Sequence, residues 1–497
     1  MIRVVGGGIA GLAAAYRLQR LGHEVRVHEA SARLGGLAAT YETAGDDVEV
    51  FYHHLSKSEE TIVELAEELG LGDRLEWRIG KNAYYVDGVV HPLDTLPQIA
   101  AYPHMTLYDK LRLGMLVLGV DLRGGIPNFD SYDDLTDYED VPIREFVVEH
   151  TTRGVYENFF EPLLSAKFGD RAEDVSAAWL LGRVRFRGER DLLRGELLGY
   201  FDGGFAPLLD ALVEAVGREN IRTGERVTAI HTDGGAVDAI TVEPSDADVT
   251  TVEDAGEPDD EDAEEADATA RADGAGAGDG STTGTGTGPG TGTGTAPGDE
   301  DPERLSADAV VVAAMPNVLE SLTGYACEID FQGAVCALVT LPGQLTDTYW
   351  LNVAHDAPFG ALIEHTNFVP PERYGGDHLL YVASYVQSPD EWVWQADADE
   401  LRERWLGHVG EMFPDFGPDA VGPDEFRLAK NPRAAPVYER GYLDTVVPYD
   451  VGSEAAAVPD GVYYAGMASR AQYPERSLNG GVVAGYEVAD RIDARRR

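Results

Sequence analysis

Ile2-Arg3-Val4-Val5-Gly6-Gly7-Gly8-Ile9-Ala10-Gly11-Leu12-Ala13-Ala14-Ala15 is the stretch whose reading decides the fold. Its first residues read as a short strand, the glycines as a turn, and the Ala/Leu-rich continuation to about Leu21 as a helix. Gly22-His23 then leads into a second strand, Glu24-Val25-Arg26-Val27-His28, which ends at Glu29. Each glycine has a mechanical role in such a unit. Gly6 permits the tight turn, Gly8 lets a pyrophosphate approach the backbone, and Gly11 lets helix and strand pack closely. The helix amino terminus offers N–H donors and partial positive charge to the diphosphate. Glu29, 18 residues beyond Gly11, is placed to accept both ribose hydroxyls, and its charge disfavours a 2′-phosphate. A glycine pattern alone is weak evidence; here strand, helix, second strand and terminal acid stand in register.

The chain has 497 residues and a formal net charge of −49, and only 5 of its 39 basic residues are lysine. That length exceeds one core and predicts two or more domains. With 43% hydrophobic residues, wholesale disorder is excluded. Such acidity repels nucleic-acid phosphates and anionic lipid, so neither is an expected partner. Cys327 and Cys336 cannot build a disulfide framework or a multi-cysteine metal site, and no metal is expected. The most apolar run, residues 113–120, is far shorter than the roughly 20 residues that cross a bilayer. No signal peptide is visible, so a soluble, cytoplasmic protein without a transmembrane segment is expected.

The acid is unevenly spread. Residues 245–304 hold 18 acidic and 2 basic side chains, followed in part by a Gly/Thr tract, and almost no large apolar residue. This insert is expected to be disordered, because it cannot offset the entropy of ordering. The remaining −33 over 437 residues, with lysine scarce, fits a protein adapted to high salt; an acidic face for a basic partner is the alternative. Strand-like alternation flanks the turn at Asp233-Gly234-Gly235, and Ala307-Asp308-Ala309-Val310-Val311-Val312 reads as a buried strand. The insert thus reads as a lengthened hairpin loop rather than a domain boundary.

Arg33-Leu34-Gly35-Gly36 follows Glu29 closely, and the segment from Gly6 to Gly36 resembles the amino-terminal fingerprint of FAD-dependent amine oxidases, protoporphyrinogen oxidases and phytoene desaturases. The resemblance implies an α/β, two-domain flavoprotein: a Rossmann-like FAD-binding domain interleaved with an α+β substrate domain. The first would comprise 1–55, 198–325 and 435–497, the second 56–197 and 326–434. By the same resemblance FAD is the cofactor. Gly6, Gly8, Ile9, Ala10 and Gly11 would meet its diphosphate, Glu29 and Ala30 its ribose, and Arg33, Gly35, Gly36 and Leu37 the diphosphate and ribityl chain. Asp202-Gly203-Gly204-Phe205 is similar to the return into the FAD domain, and Val227 becomes an adenine contact. Ser477-Leu478-Asn479-Gly480-Gly481-Val482 opens a final helix, so Asn479, Gly480, Gly481 and Val482 would lie near the flavin pyrimidine. One departure stands out. Many relatives have Gly-Asp after the late strand Val462-Tyr463-Tyr464, where this chain has Gly466-Met467. Both are cofactor candidates, but the aspartate contact is missing.

Phe160-Glu161-Pro162-Leu163-Leu164-Ser165-Ala166-Lys167 resembles a substrate-domain segment of protoporphyrinogen oxidase-like proteins, and Lys167 becomes a candidate for positioning a water near flavin N5. Tyr52-His53-His54 follows the flavin segment; His53 and His54 are candidates for lining the pocket or transferring a proton. His365 and Asn367 are weaker candidates, and Trp392 and Trp394 read as structural. The resemblance implies an FAD-dependent oxidoreductase that dehydrogenates a small organic molecule by hydride transfer to flavin N5. A UDP-galactopyranose mutase-like isomerase is the alternative, with Arg183, Arg185 and Arg187 as candidate diphosphate ligands; a phytoene desaturase-like enzyme or a non-catalytic FAD-binding protein are others. The acceptor that reoxidises the flavin is left open among oxygen, a quinone and a protein.

Overall fold

The computed structural model describes residues 1–117, 132–186, 190–191, 194–248, 302–353 and 357–497. β1 (Ile2–Val5) is the middle strand of a five-stranded parallel sheet. The order across it is Ile221–Thr223, β2 (Val25–Glu29), β1, Ala309–Val312 and Val462–Tyr464. β1 and Ala309–Val312 bury every residue, the pattern of parallel strands covered on both faces. Part of that cover is α1 (Ile9–Arg20), which packs along the last helix, Leu478–Arg496. Glycine makes the approach possible. A Cβ on Gly485 would lie 2.5 Å from the Ala10 carbonyl oxygen and 2.8 Å from the Ala14 nitrogen.

The aromatic and β-branched runs beyond Phe331 form most of a seven-stranded mixed sheet. Its order is Phe426–Pro436, Phe331–Leu341, His378–Val386, Ala361–Glu364, Trp350–Val353, Asn82–Val86, Val89–Pro92. Phe331–Leu341 alternates with period two between cores. Val335, Ala337 and Val339 pack with Leu401 and Trp405 of the helix Ala398–Met412, while Cys336 and Leu338 join the cluster that holds Val4 and Leu12. The chain is therefore an α/β fold in which a parallel sheet and a mixed sheet meet through shared core residues.

Glu225–Asp233, Ala236–Pro244 and Glu303–Ser306 form a third, antiparallel sheet, with Asp233 opposite Ala236 across the expected turn. The two ends of the 245–304 stretch correct the expectation that all of it lacks structure. Glu303 and Arg304 pair with Val242 and Thr241, and Ala247 bridges Ser31. Backbone pairing supplies there what apolar burial does not. The rest of the insert, 249–301, lies outside the described residues. The strands before and after it are antiparallel neighbours, as a lengthened hairpin loop requires.

The turn at Asp202-Gly203-Gly204-Phe205 carries positive φ at both glycines, +96° and +70°. Fully buried Glu49 fixes it, accepting from the Phe205 N–H at 2.8 Å and the Tyr200 hydroxyl at 2.7 Å. Burial outweighs those bonds and pushes the Glu49 carboxyl up to about 7. A folded pKa above the unfolded 4.5 means that its stabilising contribution is complete below pH 4.5 and lost as pH rises through about 7. Glu49→Gln keeps a donor and an acceptor without the charge. Urea denaturation should therefore show the variant gaining on the parent by on the order of 3 kcal/mol between pH 4.5 and 8; a constant difference over that range would contradict the ionisation. Gly485→Ala should cost about 1–3 kcal/mol in the same measurement, because backbone atoms stand where the methyl must go.

Candidate active site

A cavity of about 1490 Å³ is walled by residues of both large sheets. Pockets for a single small molecule usually hold about 300–1,000 Å³, so this one has room for a cofactor and a second ligand. At one end the wall is Gly6, Gly8, Ile9 and Ala10 of the turn into α1, with Glu29 and Ala30 at the end of β2. Gly35, Gly36, Leu37 and Val227 continue it, and Gly466, Met467, Leu478 and Gly481 close it from the other end of the chain.

The glycines differ in what they answer to. Gly6 has φ +105°, and a Cβ there would stand 2.5 Å from the Ala313 carbonyl oxygen. At Gly11 a Cβ would stand 2.0 Å from the Gly6 carbonyl oxygen, which is the close helix–strand approach expected of it. Gly8 is unlike both. It has ordinary extended backbone, and the nearest protein atom to a Cβ would be the Gly35 oxygen at 3.8 Å. Nothing in the protein excludes a side chain there; what a side chain would fill is the cavity. Gly36, at φ +57°, faces it across 4.0 Å. No side chain caps α1, which leaves its first N–H groups available to an anion. This cradle fits a dinucleotide diphosphate.

Glu29 lines the same end with a fixed rotamer. Its Oε2 accepts from the Gly7 N–H at 2.6 Å and its Oε1 from the Ser31 N–H at 2.8 Å. Burial raises its carboxyl pKa, and the two N–H bonds and Arg226 pull the other way. Arg226 also lines the cavity, a cation that the sequence reading passed over because its strand was read only for Val227. Arg33 departs from expectation. Its guanidinium donates to Asp248 at 3.1 Å, is nearly half exposed and does not line the cavity. Gly11, Asn479, Gly480 and Val482 are also off the wall. Val482 is fully buried, the Asn479 side chain accepts from the Ile62 N–H at 2.9 Å, and a Cβ on Gly480 would meet the Ala471 oxygen at 2.6 Å. These four shape the elements that carry the wall.

The other end of the cavity is polar and aromatic. Lys167, on the helix Glu161–Phe168, reaches it and pairs with Glu475 at 3.1 Å, so it is both a salt-bridge partner and a cavity residue. Its ammonium also lies 5.0 Å from the Trp179 ring centroid and 5.8 Å from that of Tyr385. Burial lowers its pKa; Glu475 and Tyr385 oppose the shift. Arg183 lines the cavity and pairs with the same Glu475. Arg187 and the side chain of Arg185 lie outside the described residues.

His53 and His54 both line the cavity. The Nδ1 of His53 sits against the Phe51 carbonyl, which only accepts, so Nδ1 carries the proton and Nε2 keeps a lone pair. Burial, then Arg476, pushes its pKa down to about 4, and the ring is neutral at ordinary pH. His54 contacts the Tyr349 hydroxyl at 3.1 Å. His365 and Asn367 are away from the wall: the His365 Nε2 meets the Tyr374 hydroxyl at 2.6 Å, and Asn367 donates to the Thr346 and Thr348 carbonyls. Trp392 and Trp394 stack under Arg404 and Lys430 outside the cavity. Tyr385 and Arg476 line it and stand in no recognisable motif. No cluster of metal-ligating side chains is present among the described residues.

The family model for flavin containing amine oxidoreductases matches residues 9–255 and 287–493. Over 250 residues the chain is 29% identical to the flavin-dependent L-tryptophan oxidase of Lentzea aerocolonigenes, covering 46% of this chain and 51% of that one. The chain spans about half or less of the length of the curated relatives it matches. Its fold matches a crystal structure described as a protoporphyrinogen oxidase from Exiguobacterium sp. 255-15 with TM-score 0.68 and 18% identity, over 99% of this chain and 98% of the other. Reduced UDP-galactopyranose mutase matches with TM-score 0.64 and 14% identity, over 99% and 95%. At such identities the likeness is one of fold. No helix among the described residues is long and apolar enough to cross a membrane. With the family model matched along most of its length and a cradle that fits a dinucleotide at one end of its cavity, the chain belongs to the flavin containing amine oxidoreductases, and its cofactor is FAD.

Proposed function

We propose that the chain oxidises an organic substrate at a carbon next to nitrogen, with FAD along the Gly8–Gly36 end of the cavity and the substrate at the Lys167–Tyr385 end. The observation that carries this reading is the continuity of the two ends in one cavity, together with a Gly8 that only a ligand requires. Bound FAD supplies a two-electron acceptor for the substrate hydride at N5. In this reading the backbone of Gly8, Gly35 and Gly36 and the open N–H groups of α1 hold the diphosphate. Glu29 takes the ribose hydroxyls, Arg226 adds positive charge, and Val227 lies against the adenine. Met467, Leu478 and Gly481 flank the far end of the cofactor.

The chain's own groups then bind, orient and handle the proton. Oxidation at a carbon bearing an amine leaves one N–H proton to be lost; neutral His53 offers Nε2 as a hydrogen-bond acceptor that orients this N–H, and its low pKa leaves the proton to pass to water. Lys167, held by Glu475, orients a water or a substrate atom by hydrogen bonding. The apolar residues Leu163, Phe159 and Leu180 line the cavity beyond them and exclude water from the substrate body. The related L-tryptophan oxidase supports substrates with such a carbon. The isomerase reading needs paired arginines for a sugar diphosphate, and Arg183 is engaged by Glu475.

Anaerobic mixing with amines, amino acids, porphyrinogens and UDP-galactose separates the readings. Loss of flavin absorbance at about 450 nm with one of the first three is expected; UDP-galactose binding with no bleaching by any of them would overturn this reading and favour the isomerase. Lys167→Met should slow single-turnover bleaching by about a hundredfold, and an unchanged rate in FAD-loaded protein removes Lys167 from the mechanism. Gly8→Ala should keep the far-ultraviolet spectrum of the parent and lose at least about tenfold in FAD affinity, equal to about 1.4 kcal/mol. Full flavin content in that variant would place the diphosphate elsewhere.

A further inference from the structure

In a chain of net charge −49, one part of the cavity is rich in cations. At this end the wall holds Lys167, Arg183 and Arg476, and one carboxylate, Glu475, pairs with the first two, while Lys167 and Arg476 both act on Tyr385. Arg476 forms no ion pair with a carboxylate among the described residues. Its neighbours are phenols: it hydrogen-bonds Tyr385, with Tyr52 and Tyr438 nearby. Other carboxylates of the wall have partners of their own: Glu59 accepts from the Ser56 N–H. Asp94 accepts from the Asn82 N–H, and the Asn82 side chain reaches toward Glu196 at 3.5 Å. His53 adds no charge, because its ring is neutral.

A guanidinium stays charged at any ordinary pH, and enclosing it without an anion is costly. Its planar fork suits a carboxylate bidentately, and a desolvated bond of that kind is about twice as strong as a neutral one. Next to it, Tyr52 and Trp350 meet edge to face at 4.9 Å and offer aromatic surface to the body of a ligand. An ammonium ion brought here would face Arg476 and Lys167 with like charge.

We infer that Arg476, supported by Lys167 and the Tyr385 hydroxyl, forms an anion-binding subsite in the cavity, and that the molecule oxidised there carries a carboxylate. The inference rests on the reading of this end as the substrate end. It assigns the enzyme organic acids or amino acids rather than simple monoamines or diamines. The oxygen of Tyr385 accepts from the guanidinium and keeps the fork oriented. Burial raises its pKa, but Lys167, Arg476 and the hydrogen bonds to Tyr52 and Arg476 outweigh that and lower it.

The test is binding to the FAD-loaded enzyme, followed by calorimetry and by the shift of the flavin absorbance band, at fixed ionic strength. The probes are benzoate, its neutral isostere benzamide and the cation benzylamine. Benzoate should bind at least about tenfold more tightly than benzamide, and benzylamine more weakly than either. Arg476→Gln should abolish the preference for benzoate, and Arg476→Lys, which keeps the charge without the fork, should retain part of it. Should Arg476→Gln fail to hold FAD, the ratio of benzoate to benzamide affinity in Arg476→Lys decides: a fall of several-fold supports the subsite, an unchanged ratio overturns it. Equal binding of benzamide and benzoate by the parent also overturns it, as does tight binding of UDP with none of benzoate. Bleaching by simple amines without benzoate binding removes the subsite and leaves the oxidoreductase reading standing. Benzoate binding with no bleaching by any substrate does the reverse.

Discussion

The distance between α1 and the backbone around it governs everything downstream. Its first turn lies against the Gly6 carbonyl at Gly11, and its outer side receives the last helix at Gly481 and Gly485. A single methyl at Gly11 or Gly485 would overlap backbone atoms that belong to the hydrogen-bonded frame. The parallel sheet, the helix pair and the cradle at Gly8 therefore share one set of coordinates. Interiors packed at crystal-like density transmit such displacements rather than absorbing them. The turn at Gly8, with Gly35 and Gly36 across from it, is consequently made of backbone, which changes little with side-chain drift, while the opposite end of the cavity is made of side chains.

That contrast accounts for what was legible in the sequence. Gly6, Gly8 and Gly11 could be read because each must be glycine for a geometric reason, and geometry leaves a pattern. The strands beyond Phe331 could be read because alternation between two cores is a periodic signal. The direction of the Arg33 side chain was not legible: its place in a motif fixes the backbone, while the long side chain pairs with Asp248, which comes from a distant part of the chain. Arg226, Tyr385 and Arg476 were missed for a related reason. They come from distant parts of the chain, meet only in the folded cavity, and stand in no local pattern. The ends of the acidic stretch were misjudged because composition describes burial and says nothing of a strand edge waiting to be paired.

Charge is distributed in two senses. Over the whole chain the acid excess sets what the surface repels. Inside the cavity, cations at Arg226 and around Tyr385 stand at separate places along its length. The neutral His53 fits this economy, since a charged imidazole beside Arg476 would repel it.

The order of strands in the parallel sheet has a consequence for biosynthesis. Its members come from residues 2–5, 25–29, 221–223, 309–312 and 462–464, and the cavity wall is completed by Leu478 and Gly481. A nascent chain leaves the ribosome at roughly 5–20 residues per second, so the turn at Gly6–Gly11 waits tens of seconds for the segment that encloses its ligand. Until then the cofactor would meet only one wall. The wall is thereby complete only after residue 481 has been made, and a ligand that needs both sides of the cavity meets them together from that point on.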